Sequence, residues 1–321
     1  MRNRFFIFFL FCYAGAAPVA GQERLNRAAF QATPVFAEEF SYSSAADSTF
    51  RTRWDTDFYT AVTADGTEYA SSGQVKMLPG GYVQLRTTRL SLPERQAITD
   101  SAARHGVVRP APIPPRGPVP RPGATGCPIG YASCKLVSKV VGDPPAPATG
   151  AHFNGFTYGL FEIRCKLPRS GQGIMPAFWI HSPGTEIDII DNTTEIPHRQ
   201  WQLGVLDWEK RNEERGDAST QAKDWSRGFQ KVKHGRSLAR EFNTYSMVWT
   251  PREVTFYFND EEVFTAPADE IATHPETARI ILNVATRGDD QFANGEMVVD
   301  YVRVWKFAPP LTPATYRKEL P

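Results

Sequence analysis

From Thr185 to Asp191 the sequence reads Thr-Glu-Ile-Asp-Ile-Ile-Asp, three carboxylates set into a run of β-branched apolar residues. Such a run reads as a strand, whose side chains alternate between two faces. Strict alternation puts Glu186, Asp188 and Ile190 on one face and sinks Asp191 among isoleucines on the other, where an unpaired carboxylate is costly. A β-bulge near Ile190 instead returns Asp191 to the face of Glu186 and Asp188 and leaves the isoleucines in a core. An edge strand with a solvated acidic face is the alternative reading of the same pattern. Three carboxylates on one face repel one another, which raises the proton affinity of at least one. Cleavage of a glycosidic bond with retention needs that asymmetry, an ionised nucleophile and a protonated acid about 5 to 5.5 Å apart. A GxSxG nucleophile elbow, a Walker loop, HExxH and a full GxGxxG are absent, so several other enzyme classes lack their usual support.

The elements that must position these acids read as strands. Period-two runs recur at Tyr82 to Thr87, Gly159 to Leu167, Thr244 to Trp249, Val254 to Phe258, Ile280 to Ala285 and Met297 to Trp305, which predicts an all-β sandwich. Gly80-Gly81 and Asn259-Asp260 predict hairpin turns. Only Pro93 to His105 and Pro267 to Thr273 suggest short helices. Residues 106 to 126 hold too many prolines to join a β ladder, and strand-like segments flank them, so an insertion of about 93–126 within one domain is expected. One domain is assigned to 22–308, followed by a loose tail at 309–321.

Lys and Arg total 36 against 35 Asp and Glu in 321 residues, a net charge of +1, which argues against a partner held by phosphate neutralisation. The apolar run from Phe5 to Ala17 is too short for a bilayer span of about 20 residues. With Arg2 and Arg4 before it and small residues after it, it has the layout of a secretory signal peptide, cut after Gly21 or Ala16. Losing two arginines and no acid takes the charge from +1 to +1 − 2 = −1. A secreted or periplasmic protein follows, with no nucleic-acid partner, no membrane attachment after cleavage and no warrant for anything beyond a monomer. In an oxidising compartment Cys127 and Cys134, bracketing a short Pro/Gly loop, are the candidates for a disulfide. Cys165, alternating with Phe161, Ile163 and Leu167, reads as a buried core thiol.

Taken together, three stretches resemble glycoside hydrolase family 16: Tyr158 to Pro168, Met175-Pro176-Ala177-Phe178-Trp179, and Glu186 to Asp191. Tyr245 to Pro251 and Val299 to Trp305 look like the later strands of that family. The resemblance implies a concanavalin-like β-jelly roll with a carbohydrate cleft on its concave face and an endo-acting, retaining glycoside hydrolase, its substrate a β-glucan or algal galactan. By position, Glu186 is then the nucleophile, Asp188 orients and tunes it, and Asp191 is the general acid/base. The family has Glu at this third position, and Asp is one methylene shorter. Trp179 is the expected stacking platform for a pyranose ring. Glu162 and Arg164 are expected on the cleft side of their strand, and Trp208 stands where relatives carry a His-containing stretch. No cofactor is required; Glu39 and Asp300 occupy roughly the positions of a structural Ca2+ site in some relatives. Asn192-Thr193-Thr194 matches a glycosylation sequon but reads as turn chemistry. A non-catalytic glycan-binding protein or a transglycosylase on the same fold are the alternatives.

Overall fold

The computed structural model describes residues 23–56, 68–104, 130–139, 155–169, 174–181, 185–192, 199–207, 230–267, 278–286 and 294–316. The strands among them are β1 (Phe36–Glu38), β2 (Trp54–Asp55), β3 (Glu68–Ala70), β4 (Val75–Leu78), β5 (Tyr82–Arg89), β6 (Tyr131–Ser138), β7 (Gly159–Lys166) and β8 (Ile174–His181). There follow β9 (Thr185–Asp191), β10 (Gln200–Asp207), β11 (Gln230–Lys233), β12 (Asn243–Trp249), β13 (Glu253–Phe258), β14 (Glu261–Pro267), β15 (Arg279–Thr286) and β16 (Asn294–Trp305). The helices are α1 (Ser48–Arg53) and α2 (Leu92–Arg104). Every strand predicted from period two is present. The predicted helix from Pro93 is α2, whereas Pro267 to Thr273 falls almost wholly outside the described residues, as do the signal segment and most of the proline-rich stretch.

The strands are hydrogen-bonded in the order β11-β10-β9-β8-β15-β6-β5-β16-β7-β12-β13-β14. This path does not lie flat. Trp201 of β10, near one end, packs on Phe258 of β13 at 4.6 Å between ring centroids and on Tyr245 of β12 at 5.4 Å, near the other. The sheet therefore curves back on itself and encloses a core, the jelly-roll architecture expected from sequence. Alternate residues of each strand enter that core: Phe161, Ile163 and Cys165 from β7, Phe178 and Ile180 from β8, and Ile280, Leu282 and Val284 from β15. In β16 the inward set changes parity, from Met297 and Val299 to Val302 and Val304. The register against β7 slips there between Val299 and Tyr301, making Asp300 the extra residue of a bulge.

Local turn chemistry agrees with the pattern. Pro79, Gly80 and Gly81 join β4 to β5, both glycines with positive φ, and Asn259 and Asp260, also both with positive φ, join β13 to β14, as a two-residue hairpin of matching twist demands. β5 and β6 pair directly through Thr88↔Ala132 and Arg89↔Tyr131, so the residues between them leave and rejoin one sheet.

The outer face of β7 has its own cover. Leu25, Phe30, Leu160, Val248, Tyr257, Phe307 and Tyr316 form a second apolar cluster beneath the N-terminal segment. Beside it the buried Glu162 carboxylate accepts from Arg27, from Ser246 Oγ at 2.8 Å and from the Tyr301 hydroxyl at 2.8 Å. Nearer the start of the domain Glu38 is buried by the same logic, accepting from Phe40 N–H, the Tyr42 hydroxyl, Arg53 Nε and Trp54 Nε1 at 2.8 to 3.0 Å. Each buried carboxylate is thus fully provided with donors, the condition under which burial is tolerated.

β7 begins at Gly159, whose φ is +124°. A Cβ there would stand 2.2 Å from the Trp305 carbonyl oxygen of the neighbouring β16. Gly159→Ala is expected to lower unfolding stability by about 3 kcal/mol or more, since it adds a steric clash to an unfavourable φ. Urea denaturation of the two proteins checks this, and an unchanged midpoint would contradict it.

Candidate active site

β9 lies between β8 and β10, and its register with β8 is irregular. Ala177 faces Asp191, Phe178 faces Ile190, Trp179 faces Asp188, Ile180 faces Ile187 and His181 faces Glu186, so Ile189 is skipped. The bulge expected near Ile190 is present, with Ile189 as the extra residue. Ile187, Ile189 and Ile190 are all buried in the core. Since Phe178 and Ile180 point into that core, Ala177, Trp179 and His181 point out of it, together with Asp191, Asp188 and Glu186 opposite them. The edge-strand reading does not hold, because β10 pairs with the other side of β9.

Neighbouring strands extend this outward face in cross-strand rows. Lys135, Asn283, Ala177 and Asp191 form one row, Val137, Ile281, Trp179, Asp188 and Gly204 the next, and Arg279, His181, Glu186 and Leu206 the third. Trp179 is half-exposed and its indole N–H donates to Asn283 Oδ1 at 2.8 Å, while Asn283 Nδ2 donates to the Met175 carbonyl at 3.3 Å. The indole is therefore tethered through its N–H to the neighbouring strand β15, in the row that also holds Asp188. Gly204, opposite Asp188 on β10, adds no side chain to the floor there.

The three acids are not equivalent. Asp188 is 3% exposed, and its Oδ2 is buried without a hydrogen-bond donor among the described residues. Burial first, then the charges of Glu186 and Asp191, push its carboxyl well above the ordinary range and favour its protonated form. Glu186 and Asp191 are each partly exposed on the same face. The arrangement is thus a buried carboxyl of raised proton affinity flanked by two more accessible ones, which leaves Glu186 and Asp191 as the pair able to reach a substrate.

Four of the residues expected from sequence thus come together: Glu186, Asp188, Asp191 and Trp179. Others do not. Glu162 and Arg164 alternate with Phe161, Ile163 and Cys165, which enter the same core as the β9 isoleucines, so they face away on the opposite layer. Glu162 is sealed beneath Arg27, while Arg164 pairs with Asp300 and stacks on Phe242. They are structural residues of that outer face and do not line the acidic one. Glu39 is held by Arg303 through two hydrogen bonds of 2.7 and 2.9 Å. With Asp300 paired to Arg164 as well, both proposed Ca2+ ligands are neutralised by guanidinium groups, and the residues present do not fit a cation there. Among the described residues no cluster of three His, Cys, Asp or Glu side chains suits a metal. Cys134 is a free buried thiol, pushed up to about 12 by burial, with its sulfur toward the Arg86 carbonyl. It points into the core and forms no bridge to Cys127, which lies outside the described residues, as does Trp208. Cys165 is free and buried as expected. Asn192, the sequon asparagine, is buried and accepts from Gln202 N–H of β10 at 3.2 Å, while Thr193 and Thr194 lie outside the described residues.

Residues 149–303 match the sequence model of Glycosyl hydrolases family 16. That stretch runs from β7 through β15 into β16 and carries the three acids. It is 28% identical over 183 residues to a beta-glucanase of Rhodothermus marinus, and 27% identical over 159 residues to the Rhizobium meliloti endo-1,3-1,4-beta-glycanase EglC. These alignments take in 47% and 46% of this chain, and it spans 58% and 30% of those relatives' length. In fold, this chain is similar to the laminarinase catalytic domain of Thermotoga maritima MSB8, with a TM-score of 0.58 at 17% identity, covering 86% of this chain and 98% of that one. It is likewise similar to SCLam, a non-specific endo-beta-1,3(4)-glucanase, with a TM-score of 0.59 at 19% identity and coverage of 90% and 96%.

Sequence reasoning did not single out Asn283, His181 or Arg279. Each is one polar residue in a strand, and its place beside the acids depends on pairing with segments distant in sequence.

The state of Asp188 has a measurable consequence. At acid pH this carboxyl is protonated in folded and unfolded chains alike. As pH rises through its ordinary value of 3.8, the unfolded chain releases the proton while the folded one retains it, so stability falls until the raised folded pKa is passed. Asp188→Asn removes that loss. The melting temperature of the variant minus that of the native protein is expected to grow more positive from pH 4 to pH 8; a difference that is flat or falls would mean that Asp188 ionises in the fold.

Proposed function

We propose that this protein is a secreted endo-acting hydrolase of a β-glucan that cleaves with retention of configuration. The observation that carries the reading is the bulge at Ile189, which sets Glu186, Asp188 and Asp191 on one face beside the Trp179 ring. The match of residues 149–303 to family 16 and the beta-glucanase and endo-glycanase relatives support the substrate class. The apolar run after Arg2 and Arg4 supports export.

In this mechanism the sugar stacks on Trp179. Glu186, ionised, attacks the anomeric carbon as Asp191 gives its proton to the departing glycosidic oxygen. The bond to the leaving sugar breaks as the ester to Glu186 forms. Asp191, now ionised, takes a proton from water, whose oxygen displaces the Glu186 carboxylate. Asp188, whose proton affinity is raised by burial and by the charges on either side, stays buried between the two and takes no part in these proton transfers. Asp191 places its carboxyl one methylene nearer the sheet than the glutamate of the family pattern. Since a misplacement of about 1 Å can cost on the order of 100-fold in rate, turnover is expected to be slow for the family.

Two variants test the assignment on barley mixed-linkage glucan and laminarin, with released reducing ends and the anomer first formed read by NMR. Glu186→Gln is expected to keep the fold and lose on the order of 1000-fold or more in kcat, as loss of a nucleophile does. Hydrolysis at the native rate would remove Glu186 from that role. Asp191→Glu is expected to raise kcat about tenfold or more by restoring reach. Retention of these polymers by the native protein without cleavage, unchanged in Asp191→Glu, would favour a glycan-binding protein on this fold.

A further inference from the structure

His181 closes β8 at the position opposite Glu186, and the two side chains leave the sheet on the same face. Its other cross-strand neighbour is Arg279 of β15, and Asp188 lies two residues along β9 from Glu186. Directly opposed residues of an antiparallel pair have Cβ atoms about 4.5 to 5.5 Å apart, so the imidazole stands next to the carboxylate that the proposed mechanism makes the nucleophile. The imidazole meets the Trp179 ring edge-to-face, with 5.7 Å between centroids. It is half-buried, and among the described residues the ring contact with Trp179 is the interaction that holds it. Burial and the Arg279 charge keep its proton affinity below the ordinary value of 6.5, so it is neutral at pH 7. A neutral imidazole offers one N–H donor and one nitrogen acceptor on opposite sides of a flat ring. A sugar hydroxyl both donates and accepts. A group of this kind, partly desolvated and adjacent to an aromatic platform, is suited to fixing the rotation of a pyranose about the stacking axis.

We propose that His181 is a substrate-contacting specificity residue, its imidazole hydrogen-bonding hydroxyl groups of the glucosyl unit that Trp179 stacks against beside Glu186. The proposal rests on the β-glucanase reading, and it adds a neutral, orientation-setting contact to a face otherwise lined by acids, one basic row and carbon surface.

The test uses the full chain with histidine ring nitrogens labelled with 15N, carrying Glu186→Gln so that sugar is bound without turnover. A β-1,3-linked glucopentaose and a mixed-linkage glucotetraose are the probes. The chain has six histidines, and the His181 signal is the one lost in His181→Phe. Its ring nitrogens are expected to shift on titration and to saturate along with the other signals that report binding. In the otherwise native enzyme, His181→Phe is expected to raise KM about threefold to tenfold with kcat within about twofold, the loss of one neutral contact made equally in ground and transition states. His181→Gln, which keeps a donor and an acceptor, is expected to recover most of that KM; should the Phe variant fail to fold, His181→Ala replaces it in every arm. Saturable binding that leaves the His181 signal in place, or an unchanged KM in His181→Phe, would overturn the assignment. Should neither probe shift any signal and no glucan be cleaved, the β-glucanase reading itself falls, and this contact falls with it.

Discussion

The geometry of the acids depends on two consecutive buried isoleucines. Ile189 and Ile190 both lie in the core at 1% and 0% exposure, which a regular strand forbids because neighbours point to opposite faces. Burying an isoleucine contributes about 1.5 to 3 kcal/mol, and placing Asp191 in the core without a partner costs at least as much again. A regular register would forfeit the first and incur the second. The bulge is therefore the low-energy solution for the apolar side chains, and the common face of Glu186, Asp188 and Asp191 is its by-product. In this strand core packing positions the chemistry, and no side-chain hydrogen bond is needed to do so.

A second bulge, at Asp300, obeys the same geometry with a different result. There the extra residue is polar and its carboxylate meets Arg164 on the outer face, while the parity change keeps Met297, Val299, Val302 and Val304 in the core. One bulge thus leaves an acid at an outer-face ion pair, and the other carries an acid onto the candidate catalytic face. What separates the cases is the neighbouring layer. Arg27, Arg164 and Arg303 supply cations to the outer face of β7 and β16, where each carboxylate finds one. On β9 the central acid lacks a donor for one oxygen among the described residues, and burial and like charge raise its proton affinity.

This difference also marks how far the sequence could be read. Period two, the paired positive-φ turns at Gly80-Gly81 and Asn259-Asp260, and the bulge in Ile-Asp-Ile-Ile-Asp are local properties, each fixed by a few adjacent residues. They were legible. The facing of Glu162 and Arg164 was not, because alternation says that two residues leave the core on the same side but not what covers that side. The cover is Arg27 and the aromatic cluster of Phe30, Phe307 and Tyr316, contributed by the two ends of the described chain. Cys134 failed for a related reason: its spacing from Cys127 is short, but its β6 neighbours turn it inward, where it is a free thiol of the core. Glu39 and Asp300 stood at plausible positions for a cation, and arginines more than a hundred residues away in sequence took both. Asn283 and His181 were invisible for the same cause, each acquiring its role from a partner strand.

The enclosure of the sheet bears on how rigidly the acids are held. β9 is paired on both sides, and its inward isoleucines share a core with β7 residues of the opposite layer. The layers are tied at the margin by Trp201, Phe258 and Tyr245, whose rings meet at 4.6 to 5.4 Å. Packing of that density resists displacement of a strand by even a fraction of an ångström. A rigid backbone cannot drift forward to offset a shorter acid, so a methylene missing at Asp191 must be recovered by the pose of the sugar. That pose is set on the same face by the indole of Trp179, which Asn283 holds in place. The reach of Asp191 and the seating of the ring on Trp179 are therefore a single coupled quantity, and the clamp on the indole matters more here than it would with a longer acid.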